Sequence, residues 1–300
     1  MLYLTAETDV NGVAQEPASS DGLRLPAPMS RPHHGKAQPA PGFVLLGHVS
    51  ARFGDSTVSL GPPQQQAIMV ALLLQNGSHI SVDHLIDMVW GEQAPPTAEK
   101  TVRTYVYRLR QALARHGDGR QTILTSLHNG YTAKAPEGAI DVDEFIRLTD
   151  AARRARRAGA VAEVADCARR GLDLWHGSSA LSGIPGAYAQ RMRSHLQELR
   201  LSALEMSLSA QLSLGIVDST TAELSHVVAQ HPLDERFRSL YMIALYNGHR
   251  RADALRTYFE ARDVLQEELG IDTGKELQRT YMCILAGDMS SDYPQYCLNP

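Results

Sequence analysis

The spacing of apolar residues changes along the chain, and each spacing predicts a different kind of structure. After Gly42, short apolar runs alternate with glycines, which is typical of short strands joined by turns. Apolar residues at helical spacing then predict three helices, over 63–77, 81–91 and 98–114. Two extended runs follow around His128-Asn129-Gly130, where Asn-Gly is a strong hairpin signal. Strands, three helices and a hairpin, in this order, predict a winged helix-turn-helix.

Single residues mark the ends of these three helices. Pro63 suits the first turn of the first helix. Ser81 is a candidate N-cap of the second, although His84 stands where a capping box has glutamate. Pro95-Pro96 predicts a loop before the third helix, because proline does not fit inside either neighbouring helix. Thr97 is then expected to cap the third helix.

The chain after Asp141 has helical periodicity throughout. Apolar stripes that end in glycine or proline predict seven helices, over 141–159, 160–177, 186–215, 218–232, 233–250, 251–270 and 273–287. Residues 240–265 have the helix, glycine turn and helix of a tetratricopeptide-like unit. Stacked pairs of such helices build concave protein-binding surfaces. The fold class is therefore mainly α, an α+β winged helix-turn-helix followed by an all-α tetratricopeptide-like domain.

Composition divides the chain further. Residues 1–41 are rich in proline and small polar residues, which predicts a disordered arm. We expect a winged-helix domain over 42–136, a helical domain over 139–287 and a C-terminal tail over 288–300. The chain contains no apolar stretch long enough for a membrane span and no convincing secretion signal. The scattered cysteines, Cys167, Cys283 and Cys297, fit a reducing cytoplasm, so we expect a cytoplasmic, nucleoid-associated protein.

The third helix has one apolar and one cationic face. Its apolar arc consists of Val102, Val106, Leu109 and Leu113, at ~100° per residue. The opposite arc consists of Lys100, Thr104, Tyr107, Arg108 and Gln111, flanked by Arg103 and Arg110. A helix face that is merely solvated usually mixes charges of both signs, but Glu99 is the only acid on this helix. The cationic face therefore predicts contact with DNA, where arginine can bind guanine or phosphate.

The charge distribution supports this hypothesis. The whole chain has a formal net charge of −4. Residues 98–134 carry seven lysines and arginines against two acids, so this segment is +5 and the rest of the chain is −9. A local basic stripe on an acidic protein indicates a module that meets phosphates with one face.

No catalytic or cofactor-binding pattern stands out, so the chain is not expected to be an enzyme. Residues 270–276, GIDTGKE, fail as a phosphate-binding loop, because the glycines are too close and Glu276 replaces the magnesium-binding Ser or Thr. His226 and His231 lack the order of a zinc motif. Cys167 and Cys283 lie on apolar helix faces and suit a core. We therefore expect no cofactor and no metal.

Several longer segments carry a family resemblance. They are LIDMVWGEQAPPTAEKTVRTYVYRLRQAL, NGYTA, DVDEF, LDLWHG, HPLDERFRSLYMIALYNGHRRADALRTY and LQEELGIDTGKEL, between about Phe43 and Leu285. Together they resemble the Streptomyces antibiotic regulatory protein family. That resemblance implies an OmpR-type winged helix joined to a bacterial transcriptional activation domain. It also implies a short, constitutively competent activator of a secondary-metabolite gene cluster.

The resemblance also implies partners and site residues. The partners would be promoter DNA with direct repeats near the −35 element, bound by a dimer, and RNA polymerase holoenzyme with its sigma factor. The DNA contacts would come from the third helix and the wing: Lys100, Arg103, Thr104, Tyr107, Arg108, Arg110, Gln111, His128, Asn129 and Tyr131. The polymerase contact would be the loop of Glu92, Gln93, Ala94, Pro95, Pro96 and Thr97.

Two departures and two alternatives remain at this point. Gln64-Gln65-Gln66 stands where the family usually has basic residues, which puts a phosphate contact there in doubt, and Thr273 replaces a proline of the family. The same DNA module could serve a repressor that blocks polymerase. Alternatively, the helical half could be a scaffold that binds a peptide or a regulator, with DNA binding incidental.

Overall fold

The computed structural model describes residues 42–54, 56–115 and 123–287. The arm predicted over 1–41, the tail predicted over 288–300 and the third cysteine, Cys297, lie outside these residues. None of the helices in the described ranges is long and apolar enough to cross a membrane.

The first half of the described chain is the predicted winged helix-turn-helix. Its strands are β1 (Phe43–Val44), β2 (Ser50–Phe53), β3 (Ser56–Val58), β4 (Ile80–Ser81), β5 (Leu124–Leu127) and β6 (Gly130–Ala133). Its helices are α1 (Pro63–Leu74), α2 (Val82–Trp90) and α3 (Ala98–Ala114). The strands form two antiparallel sheets, in the orders β1-β2-β3 and β4-β6-β5. The helices α1 and α2 both pack against α3.

All three helices begin where the sequence predicts, but only two of the three predicted end signals are confirmed in detail. Pro63 is the first residue of α1, and the Ser81 hydroxyl accepts the backbone N–H of His84 at 3.2 Å. Thr97 precedes α3, but its side chain makes no capping hydrogen bond. Its backbone angles, φ −97° and ψ 12°, are not the extended ones that direct an N-cap side chain toward the helix.

The predicted hairpin is present, but its turn lies one residue earlier than Asn-Gly suggests. Leu127 pairs with Gly130, so the two loop residues are His128 and Asn129, and His128 has a positive φ of 43°. Gly130 is the first residue of β6 and lies against β4. A Cβ on Gly130 would collide with the carbonyl oxygen of Ile80, so close strand approach requires this glycine.

The second half contains the seven predicted helices. They are α4 (Asp141–Arg157), α5 (Val161–Leu172), α6 (Ala187–Ser213), α7 (Asp218–Gln230), α8 (Glu235–Asn247), α9 (Arg251–Leu269) and α10 (Lys275–Ala286). Each helix packs against the next from α4 to α10, and α10 also packs against α8. The helix predicted over 160–177 ends earlier, at Leu172, so Trp175 lies in the connection to α6. Cys167 is buried and Cys283 half-buried.

The two halves share one hydrophobic core. Phe43 of β1, Phe145 of α4 and Leu196 of α6 are fully buried in the same cluster, together with the apolar faces of α1, α2 and α3. The ring of Trp175 packs edge-on against Phe145, with 5.5 Å between ring centroids. At Gly186, a Cβ would lie 2.7 Å from the Met88 carbonyl oxygen at the end of α2. The chain therefore packs its helical half directly on its winged helix.

Hydrogen bonds across this junction centre on the segment after β1. The buried carboxylate of Asp141, at the start of α4, accepts the backbone N–H groups of Leu45 and Leu46 at 2.9 Å. The backbone N–H groups of His176 and Leu181 donate to the carbonyls of Leu46 and Leu45, at 2.8 and 2.9 Å. Without these bonds the backbone N–H and C=O groups of Leu45 and Leu46 would be buried without partners. The bonds therefore fix the position of α4 on the winged helix.

Candidate nucleic-acid interface

The apolar arc of α3 is buried as predicted. Val102, Val106, Leu109 and Leu113 all belong to the shared core. At roughly 1.5–3 kcal/mol for each fully buried aliphatic side chain, these residues hold α3 firmly on its domain. The orientation of the opposite face is therefore set by packing.

The opposite face of α3 is open along its length. Lys100, Thr104, Tyr107, Arg108 and Gln111, here called the polar face of α3, are all exposed, and Tyr107 is 62% exposed. At 1.5 Å per residue this face is about 16 Å long. It contains no acid, so nothing in it repels phosphate. An exposed helix face of this kind fits the B-DNA major groove, which is about 12 Å wide.

Arg103 lies beside the polar face and forms an ion pair with Glu99 one turn earlier. The two side chains are 62% and 58% exposed. An exposed pair of this kind contributes about 0–1 kcal/mol. Glu99 therefore does not prevent Arg103 from exchanging this partner for a phosphate.

Arg110 is used inside the protein. Its Nε donates to the Leu124 carbonyl at 3.1 Å and its Nη2 donates to the Ser126 hydroxyl at 2.9 Å. Its guanidinium also lies over the Tyr131 ring, 5.9 Å from the centroid. Arg110 thus connects α3 to the β5–β6 hairpin, whereas the sequence placed it among the DNA contacts.

The hairpin presents its tip to solvent and keeps its base in the core. His128 and Asn129 are exposed at the tip, next to Leu127, which is also exposed. Tyr131, which the resemblance placed among the DNA contacts, is only 9% exposed, and its side chain belongs to the shared core. Tyr131 pairs with Ile80 of β4, and the strand alternation turns its side chain inward.

The three glutamines in the first turn of α1 bind the protein itself. The Nε2 groups of Gln65 and Gln66 donate to the carbonyls of Leu60 and Gly61, at 2.9 and 2.7 Å. The Tyr105 hydroxyl donates to the side-chain oxygen of Gln64 at 3.3 Å, which connects α3 to the start of α1. The sequence did not identify this last contact, because it joins residues 41 positions apart.

The loop between α2 and α3 is the second surface that the sequence singled out. A 3-10 turn over Gly91–Gln93 opens it. Glu92, Gln93, Ala94, Pro96 and Thr97 are exposed, and Pro95 is half-buried. Its two ends are held by α2 and α3, so it presents a short, fixed surface next to the polar face of α3.

Comparisons with known proteins agree with this architecture. Residues 56–133 match the family described as "Transcriptional regulatory protein, C terminal", and residues 140–285 match "Bacterial transcriptional activator domain". A solved structure, Mycobacterium tuberculosis EmbR in complex with a low affinity phosphopeptide, matches with a TM-score of 0.77 and 26% identity. The match covers 82% of this chain and 65% of that one.

Regulatory proteins of Streptomyces are also similar to this chain. The regulatory protein AfsR of Streptomyces coelicolor is 41% identical over 247 residues, 82% of this chain, which spans only about a quarter (24%) of AfsR. The regulatory protein DnrI of Streptomyces peucetius is 29% identical over 83% of this chain and 93% of its own length. The transcriptional regulator RedD of Streptomyces coelicolor is 30% identical over 81% of this chain and 70% of its own length.

The two domain matches follow each other along the chain. The first covers the winged helix with its exposed cationic helix face, and the second covers the helical half that packs against it. The regulators AfsR, DnrI and RedD each match more than four-fifths of this chain. The chain belongs to the Streptomyces antibiotic regulatory protein family of transcriptional regulators.

Proposed function

We propose that the protein is a sequence-specific DNA-binding activator of a secondary-metabolite gene cluster. The observation that carries this proposal is the polar face of α3, exposed, free of acids and held in place by a buried opposite face. In this proposal residues 42–136 bind promoter DNA and residues 139–287 act on transcription.

In the proposed complex α3 enters the major groove. Arg108 and Lys100 meet bases or phosphates, Arg103 leaves Glu99 for a phosphate, and the tip of the wing with His128 and Asn129 approaches the neighbouring backbone. Arg110 acts as a positioning residue, because its hydrogen bonds fix the wing relative to α3. Two copies bind direct repeats head to tail, with half-sites one helical turn apart, so both recognition helices meet the same side of the duplex.

Replacing Arg108 tests the proposed interface. We expect Arg108→Ala to cost about 1–3 kcal/mol of operator binding and to relax base preference if the side chain contacts a base. If it contacts only phosphate, affinity falls about equally on all sequences and the salt slope becomes shallower. Mobility-shift titrations of operator and scrambled DNA at several salt concentrations distinguish these results.

The matched control is Arg256→Ala, an exposed arginine on α9 that forms an ion pair with Asp253. Operator binding should be unchanged in this variant. Equal affinity and equal salt slope for Arg108→Ala and the wild type would remove Arg108 from the interface.

The proposed polymerase contact is the loop before α3. We expect the double variant Glu92→Ala, Gln93→Ala to bind operator DNA like the wild type while supporting several-fold less transcription in vitro. Both side chains are exposed and outside the core, so the fold should not change. The assay uses a promoter with direct repeats near the −35 element and RNA polymerase holoenzyme.

The same assay tests the two alternatives. A repressor lowers transcription from this promoter as protein is added, and a scaffold leaves it unchanged. A truncation after Asp141 is unsuitable as a test, because it removes Phe145 and Leu196 from the core that the winged helix shares. Unimpaired activation by the loop variant would place the polymerase contact elsewhere.

A further inference from the structure

A cavity of about 250 Å³ lies in the helical half, between α6, α8 and the start of α10. Its apolar wall includes Leu240 and Ile243 of α8, and Glu205 of α6 also lines it. Lys275 and Glu276, both exposed, stand at the first turn of α10. This cavity is far along the chain from the polar face of α3 and is not part of the proposed DNA interface.

Glu205 is an unusual residue for such a cavity. It is only 8% exposed, and burial raises the pKa of its carboxyl group above the ordinary value. One carboxylate oxygen, Oε2, accepts Nη1 of Arg236 at 3.2 Å. Arg236 also donates to both carboxylate oxygens of Asp234, at 3.1 and 2.7 Å, so its charge is divided between two acids.

The second oxygen of Glu205, Oε1, receives no hydrogen bond from the described part of the chain and stays accessible to solvent. Other polar groups of the lining are occupied. The Gly274 N–H donates to the Glu235 carboxylate at 2.7 Å, and the Ser239 hydroxyl pairs with that of Thr280 at 2.6 Å. A carboxylate oxygen that stays accessible and has no protein donor can accept a hydrogen bond from a ligand in the cavity.

We propose that this cavity binds a small amphipathic amine, whose ammonium group donates to Glu205 and whose apolar body lies against Leu240 and Ile243. The lining contains three glutamates but only one arginine and one lysine, so its net negative charge favours a cationic ligand. A carboxylate ligand would meet Glu205 unfavourably, because the guanidinium of Arg236 is already engaged by two acids.

The position of the cavity connects it to the DNA-binding half. Glu205 lies on α6, and the same helix carries Leu196 in the core shared with the winged helix. The two residues are nine positions apart, about 14 Å along the helix. An amine in the cavity therefore contacts a rigid element whose other end packs against α1 and α2.

The test is calorimetric titration of the full chain with three amines, hexylamine, 2-phenylethylamine and tryptamine. We expect saturable one-to-one binding of at least one of them. The neutral isostere of that amine, for example 2-phenylethanol, should bind about tenfold more weakly, as should the amine to Glu205→Gln, because both lose a charge-assisted hydrogen bond. The control Glu268→Gln, an exposed glutamate on α9 that does not line the cavity, should bind like the wild type.

A second variant keeps the test decisive if Glu205→Gln does not fold. Lys275 is exposed, so Lys275→Glu should fold, and we expect it to bind the amine several-fold more tightly because a repelling charge becomes an attracting one. No saturable binding of any of the three amines would overturn the proposal. Equal affinity for the amine and its neutral isostere would overturn it as well. So would an amine affinity that is unchanged in both Glu205→Gln and Lys275→Glu.

Discussion

Asp141→Ala should lower the free energy of unfolding at neutral pH by about 2–4 kcal/mol, because it leaves two buried N–H groups without an acceptor. The wild-type carboxylate accepts hydrogen bonds from the backbone N–H groups of Leu45 and Leu46 at 2.9 Å, across the junction of the two halves. Urea denaturation followed by circular dichroism measures the change. Asp87→Ala, an exposed aspartate on α2, is the control and should be close to neutral.

The same carboxyl group makes stability depend on pH. Burial is the largest cause that raises the pKa of Asp141 from 3.8 to about 6, against the opposing effect of the hydrogen bonds from Leu46 and Leu45. A raised pKa means that the folded state binds the proton more tightly than the unfolded state. The extra stability that comes from this tighter proton binding is fully present below about pH 4. It is lost as the pH rises through about 6, and the total loss is about 3 kcal/mol.

Asp141→Ala should therefore lose more stability, relative to the wild type, at pH 4.5 than at pH 7.5. Comparing the two proteins at each pH cancels the titration of the other acids, provided that they are far from Asp141. An unfolding free energy that is the same in wild type and variant at both pH values would show that the contact contributes nothing.

Gly130→Ala should destabilise the protein by about 3 kcal/mol, at the upper end of the cost of overpacking, because the new methyl group meets strand backbone. The Cβ collides with the Ile80 carbonyl oxygen and approaches the His79 ring, so β4 and β6 must separate. The wing then shifts relative to α3, and we expect operator affinity to fall together with stability. Urea denaturation and mobility-shift titration measure the two effects.

The matched control is Gly177→Ala. Its Cβ would meet nothing within 4 Å, and its φ is not in the left-handed region. This variant should keep both stability and operator affinity. If Gly130→Ala behaves like Gly177→Ala, the close approach of β4 and β6 does not require glycine.

Local periodicity was enough to predict most of the elements. The alternation of Val102, Val106, Leu109 and Leu113 with cationic residues predicted both faces of α3, because a single helix repeats every 3.6 residues whatever it packs against. The seven helices after Asp141 and the cap at Ser81 were predictable for the same reason, since their signals lie within a few residues.

The roles of individual polar residues were harder to predict. Arg110 and Arg108 look alike in the sequence, yet one is bonded to Leu124 and Ser126 and the other is exposed. Tyr131 next to the wing tip looked like a surface residue and is buried by pairing with β4. Each outcome depends on where a distant strand packs.

The sequence by itself determined the order and type of the elements and the cationic face of α3, because these follow from patterns within one helix or hairpin. Only the tertiary structure decided that the two halves share a core, that Asp141 binds a backbone segment 95 and 96 residues away, and that Glu205 lines a cavity with an unused oxygen. The physical reason is that burial and hydrogen-bond partners arise from contacts between residues far apart in the chain, which a local pattern does not contain.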